Sequence, residues 1–203
     1  MSLESDQYQT LQAPGPEALF KDRGSKFFGY AYPVSNEAEI KDCLESLKAQ
    51  HHQARHWCYA WQLGTAQPTY RYNDDGEPSN SAGAPIYGQI QSFELTDVLI
   101  VVVRYFGGTK LGVGGLINAY RSAAKMALEE SHIITKTIKE ELTLTFDYPK
   151  MNLVMRMIKE EQLDILEQQM ELNCSYKIAI PKNSFESVKK RFENIYGVTV
   201  KKA

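Results

Sequence analysis

The stretch Val98-Leu-Ile-Val-Val-Val-Arg104-Tyr-Phe-Gly107-Gly108-Thr-Lys110-Leu-Gly112-Val-Gly114-Gly115-Leu116 predicts a strand, a glycine-rich loop and the start of a helix. Its six consecutive aliphatic residues predict a strand that is covered on both faces. Backbone N–H groups, two cations and a helix N-terminus would then lie together, which suits a phosphate. The spacing of the glycines fits neither the P-loop pattern GxxxxGK[ST] nor the dinucleotide-binding pattern GxGxxG. Tight packing of the loop is the alternative explanation for its glycines.

The hydrophobic pattern on both sides of this stretch predicts an α+β protein of two domains, residues 1–135 and 136–203. In the second domain the order β-α-β-β-α-β is typical of a ferredoxin-like fold. The predicted strands are 8–13, 27–34, 57–61, 69–72, 97–105, 139–146, 162–168, 172–181 and 198–200. The predicted helices start after Asn36, span 82–93 and 116–130, start at Asp147, and carry Phe185.

Composition narrows the class of protein. A formal net charge of −2 over 203 residues is not that of a chain basic throughout, although a local basic groove is compatible with it. Three scattered cysteines without a CxxC pair indicate reduced thiols and a cytoplasmic location. The polar start Met1–Asp6 predicts no targeting sequence, and no apolar window is long enough to span a membrane.

The acidic loop from Asn73 to Gly83 is a second candidate for chemistry. Asp74, Asp75 and Glu77 could bind a hard cation or supply a general base. Asn-Asp-Asp-Gly is also ordinary turn chemistry, and Ser81 is placed to cap the helix that follows. The turn explanation is favoured, and no metal site is predicted.

His56 and Cys58 lie two residues apart on a predicted strand and therefore face the same side. Such a pair could belong to a nucleophilic or a zinc site, but no second pair of ligands is visible. Cys58 is expected to fill the core. His56 and its neighbour Arg55 are expected to line a polar cleft.

Three segments together resemble the motifs of the YigZ/IMPACT family. They are residues 101–116, residues 74–78 with 82–85, and residues 52–60, in the family's order. The chain departs from the family pattern where Asn80-Ser81 replace Gly-Thr and where Asn118 replaces arginine. Arg121, where the family has serine, is a candidate replacement for that cation.

The resemblance implies a first domain similar to the second domain of a small-subunit ribosomal protein and to GHMP kinases. It implies a second, ferredoxin-like domain similar to the last domain of elongation factor G. The ribosomal protein and the elongation factor bind RNA, and eukaryotic members of the family regulate translation by interfering with activation of a starvation-sensing kinase. The resemblance therefore favours a non-catalytic RNA- or ribosome-associated regulator of translation, without a cofactor, a membrane partner or DNA sequence specificity.

Two alternatives stay open at this stage. In an enzyme acting on a phosphorylated or carboxylated small molecule, Asp74, Asp75 or Glu77 would be the base and His56 the acid. In a protein-binding module, the N–H groups of the loop would be bonded internally. For the RNA hypothesis the predicted anion-binding residues are Arg55, Arg104, Gly107, Gly108, Lys110, Gly112, Gly114, Gly115 and Arg121.

Overall fold

The computed structural model describes residues 6–171 and 173–202. Contacts between Cα atoms divide them into two compact units. The larger unit is Tyr8–Lys136, and the smaller unit contains residues 137–202 with residues 6 and 7. Most of the polar N-terminal segment and Leu172, the predicted first residue of a strand, lie outside the described residues.

The first part of the chain contains seven strands and three helices. In chain order they are β1 (Gln7–Leu11), β2 (Ala18–Asp22), β3 (Ser25–Pro33), α1 (Glu37–Gln50), β4 (His56–Leu63), β5 (Thr69–Asn73), α2 (Gly83–Ser92), β6 (Val98–Tyr105), α3 (Gly112–Glu129) and β7 (Ile133–Thr137). β1 and β7 pair as a two-stranded sheet. The other five strands form an antiparallel sheet in the order β2-β3-β6-β4-β5.

The central strand β6 is covered on both faces, as its aliphatic run predicted. Side chains alternate across a strand, so Val98, Ile100 and Val102 pack with α2 and α3. The intervening Leu99, Val101 and Val103 pack in a second core with α1. The sheet therefore lies between two helical layers, and the end of β6 reaches solvent at Tyr105 and Phe106.

The first three helices begin in different ways, and the cap of α2 and the start of α3 differ from the sequence prediction. Asn36 caps α1 as expected, because its side chain accepts the N–H of Glu39. α2 is capped by the distant Asp74 and not by Ser81, whose hydroxyl donates to Pro78. α3 begins at Gly112, four residues earlier than predicted, so three of the five glycines belong to its first turn.

The smaller unit has the predicted element order β-α-β-β-α-β. Its elements are β8 (Lys139–Asp147), a 3-10 turn (Tyr148–Lys150), α4 (Met151–Glu160), β9 (Asp164–Gln169), β10 (Asn173–Pro181), a second 3-10 turn (Lys182–Ser184), α5 (Phe185–Glu193) and β11 (Val198–Lys202). The strands form an antiparallel sheet in the order β11-β8-β10-β9. Inward-facing residues of β8 and β10 pack against the apolar stripes of α4 and α5. In the part of the chain described, no helix is both long and apolar enough to cross a bilayer.

Candidate anion-binding site

Arg104, near the end of β6, forms a buried ion pair with Glu77 of the acidic loop. Its Nη1 donates to Oε1 of Glu77 at 2.6 Å, and the two side chains are only 7% and 5% exposed. The Tyr120 hydroxyl of α3 donates to the same carboxylate oxygen at 2.7 Å. Burial strongly raises the pKa of Tyr120, which keeps its proton and remains a donor. Glu77 is therefore a partner of Arg104 and not an unengaged base.

The guanidinium of Arg104 is also held by aromatic rings. It lies 5.5 Å from the ring centroids of both Phe27 and Phe106, within the range of cation–π attraction. Phe27 and His56 are its register partners on the two neighbouring strands. Its Nε is buried and has no hydrogen-bond partner among the described residues. A buried N–H group without an acceptor is unusual, and this one leaves Arg104 able to donate one more hydrogen bond.

The glycines of this loop are explained by different physical constraints. The N–H of Gly107 donates to the Ser25 hydroxyl, and a Cβ at Gly107 would overlap the backbone of Gly24. Packing therefore explains Gly107, whose N–H is already engaged. Gly108 and Gly112 have positive φ angles of 86° and 72°, which favour glycine. A Cβ at Gly108, Gly112 or Gly114 would meet no atom within 4 Å, so this side of the loop is open.

The first turn of α3 opens into a cleft of about 420 Å³. Glu77, Arg104, Phe106 and Lys110 line this first cleft together with Gly112. α3 has neither a side-chain cap nor an acidic residue in its first turn. The partial positive charge of the helix N-terminus is therefore not balanced by a residue of its own first turn, and the exposed Lys110 adds a full charge. This combination favours an anion.

A second cleft of about 290 Å³ shares Arg104 and Phe106 with the first. Arg55, His56 and Tyr105 complete its polar wall. Nδ1 of His56 lies 2.8 Å from the carbonyl oxygen of Asp75. Since a carbonyl only accepts, Nδ1 of His56 carries a proton and donates this bond. The predicted grouping of Arg55 and His56 near Arg104 is present in this cleft.

The acidic loop has a structural role in the folded chain. The Asp74 carboxylate accepts the backbone N–H groups of Asn80, Ala82 and Gly83. The Asp75 carboxylate accepts the N–H of Trp57 at 2.7 Å. These bonds cap α2 and tie the loop to β4. Neither carboxylate is unengaged, and no cluster of three or more potential metal ligands occurs in the described ranges.

Cys58 fills the core, as predicted. It is fully buried, and its Sγ donates to the carbonyl oxygen of Asp74 at 3.0 Å. Burial raises the pKa of this thiol, so it stays protonated and is a poor nucleophile.

Arg121 is the predicted cation that the structure separates from the others. It is exposed on α3, nine residues after Gly112, which corresponds to about 14 Å along the helix axis. The residues that sequence reasoning missed are Tyr120 and Phe27, which hold the Glu77–Arg104 pair. An arginine at the end of an aliphatic strand was the available signal, because a buried cation needs a buried acceptor.

Comparison with known proteins places the chain in a family. Residues 23–128, which contain every residue of the first two clefts, match the model described as the Impact N-terminal domain. The chain belongs to the IMPACT family. An IMPACT family member of Haemophilus influenzae is 32% identical over 181 residues, 86% of each protein. The IMPACT family member YigZ of Escherichia coli is 32% identical over 159 residues, 77% of this chain and 78% of that protein.

A solved structure has a similar fold over almost the whole chain. It is the crystal structure of a hypothetical protein, with 25% sequence identity, a TM-score of 0.74 and 97% coverage of both chains. The IMPACT family resemblance seen in three sequence segments is thus confirmed by matches over most of the chain.

Proposed function

We propose that this IMPACT family member is a cytoplasmic, RNA- or ribosome-associated regulator of translation that binds RNA phosphates at the start of α3. The observation that carries the proposal is the first cleft, where an uncapped helix N-terminus meets the side chains of Lys110 and Arg104. The resemblance to family members that regulate translation supports the biological role.

The charges around the first cleft assign different tasks to its residues. Arg104 contributes little net charge because Glu77 neutralises it at 2.6 Å. Lys110 and the dipole of α3 supply the long-range attraction, and Arg104 supplies a directed N–H donor. Gly112 carries no side chain, so a phosphate oxygen can approach the backbone N–H groups of the first turn of α3.

The second cleft would extend the binding path of an RNA sugar-phosphate backbone. Arg55 and His56 lie on the other side of the shared Arg104 and Phe106. Two anion-binding positions that share a wall suit a chain of phosphates better than an isolated one. Because Asp74, Asp75 and Glu77 are all engaged, the proposal includes no catalytic step.

We also propose that residues 1–135 form the IMPACT domain, with the fold of the ribosomal-protein domain and GHMP kinases. In the same proposal residues 136–203 form a ferredoxin-like domain. Support for the second fold comes from the element order β-α-β-β-α-β and from the sheet order β11-β8-β10-β9, which sets the last strand beside the first.

The test is RNA binding by the full chain, measured by fluorescence anisotropy of a labelled RNA over a range of salt concentrations. Lys110→Ala should weaken binding. It should also reduce the slope of log K against log salt concentration by roughly 0.7 to 0.9, the loss expected for one phosphate contact. Lys125→Ala is the matched control, since Lys125 lies near the other end of α3 and pairs with Glu129. Absence of RNA and ribosome binding by the wild type at low salt would refute the proposal.

A further inference from the structure

A third cleft of about 560 Å³ lies beside the first two and is not explained by phosphate binding. Glu17, Lys26, Phe28, His51 and Tyr105 are among the residues that line it. Phe106 contributes to the walls of all three clefts. Because strand residues alternate, Arg104 and Tyr105 face opposite sides of the sheet, and Phe106 lies where the two sides meet. The three clefts therefore adjoin one another at Phe106, just after the end of β6.

A chain of hydrogen bonds fixes the polar wall of the third cleft. The Tyr30 hydroxyl donates to Glu17, so its oxygen accepts from Nε2 of His51 at 2.6 Å. Nδ1 of the neutral ring must then accept, and the Tyr105 hydroxyl donates to it at 3.0 Å. Burial lowers the pKa of His51, which favours this neutral form.

The same wall is aromatic. Phe28 contacts Tyr105 edge to face, with ring centroids 5.7 Å apart and an interplanar angle of 78°. Phe28 also contacts the His51 ring at 5.3 Å. Phe106 is 57% exposed, and Arg104 lies 5.5 Å from its ring centroid. A large exposed aromatic residue beside fixed polar groups is the arrangement that proteins use to stack an unpaired base.

We propose that the third cleft holds an unstacked base of single-stranded RNA, stacked on Phe106, while the adjoining phosphates occupy the first two clefts. This inference rests on the proposed function and names the form of RNA. Lys26 as donor, and Glu17 and the Tyr105 oxygen as acceptors, would meet the polar edge of the base. A duplex keeps its bases paired inside the helix and cannot offer one to this cleft.

The test compares three labelled RNAs of equal length: a single strand, the same strand with abasic sites, and a duplex. Phe106→Leu should weaken binding of the single strand about tenfold or more, because one stacked base contributes that much. The same variant should leave the affinity for the abasic strand and the duplex nearly unchanged. Phe106→Trp retains a stacking surface and should bind the single strand like the wild type. Tyr70→Ala, which removes another exposed aromatic residue (56% exposed), should also bind normally.

Other outcomes of these measurements separate the proposed phosphate site from the proposed base pocket. If the wild type binds RNA and Lys110→Ala weakens it, but abasic and normal strands bind equally, the base pocket is refuted and the phosphate site stands. If 5′-AMP displaces the strand at equal concentration, the cleft takes a mononucleotide and the strand inference is wrong. If the wild type binds no RNA at low salt, the proposed function fails and this inference fails with it.

Discussion

Removing only one partner of the buried Glu77–Arg104 pair should strongly destabilise the larger unit. In Glu77→Ala the Arg104 charge stays 7% exposed without its carboxylate, and the Tyr120 hydroxyl loses its acceptor. Removing one partner of a buried ion pair costs about 3–5 kcal/mol in unfolding free energy. Urea unfolding followed by tryptophan fluorescence reports on this unit alone, because both tryptophans of the chain, Trp57 and Trp61, lie on β4.

Two further variants separate burial from charge pairing. Glu45→Ala breaks the Lys41–Glu45 pair, whose side chains are 75% and 65% exposed, and should cost less than about 0.5 kcal/mol. The double variant Glu77→Leu with Arg104→Met removes both charges and should be more stable than Glu77→Ala. A cost below about 1 kcal/mol for Glu77→Ala, or a double variant less stable than that single variant, would refute the reasoning.

Three more predictions follow from the same unit. Asp74→Ala removes the acceptor of three backbone N–H groups and should lower the unfolding free energy by about 2 kcal/mol, measured by urea unfolding. Burial lowers the folded-state pKa of His51, so the unfolded chain binds more protons at low pH. Stability should therefore be retained above about pH 6.5 and decline as the pH falls through the lowered pKa, with a shallower decline in His51→Gln. Cys58 should resist iodoacetamide at pH 8 until urea unfolds the chain, as read by mass spectrometry.

The core of the fold was predictable because its signals are local. The aliphatic run that predicts β6 lies within one strand, and the cap of α1 lies one residue before that helix. β2 and β7 escaped prediction because their sequences, Ala-Leu-Phe-Lys-Asp and Ile-Ile-Thr-Lys-Thr, do not alternate between apolar and polar residues. The start of α3 was placed too late, since glycine has low helix propensity and tertiary packing overrides it.

The candidate site was predictable in its members but not in its pairing. The sequence grouped Arg104, Lys110 and Arg55 as cations, while Glu77 lies 27 residues before Arg104 and was considered only as a ligand of a hard cation or as a general base. The series of hydrogen bonds that links Glu17, Tyr30, His51 and Tyr105 matches no sequence motif, because the four residues are far apart in the sequence. Long-range hydrogen bonds of this kind are set by topology and not by spacing.

The most direct test of the phosphate site places a negative charge in the first turn of α3. Gly114 is suitable because a Cβ there meets no atom within 4 Å and its φ is not in the left-handed region. Gly114→Asp should raise the unfolding free energy by about 1 kcal/mol. The variant replaces glycine in a helix, and its negative charge interacts favourably with the positive end of the helix dipole. The same variant should weaken RNA binding at least about tenfold by repelling phosphate.

Gly114→Ala is the matched control for this measurement. It gains helix propensity without charge, so it should be stabilised and should bind RNA like the wild type. Higher stability together with lower RNA affinity, in Gly114→Asp only, is the result that the account predicts. Wild-type RNA affinity in Gly114→Asp would contradict it, because a phosphate at this helix N-terminus cannot be indifferent to a carboxylate in the same turn.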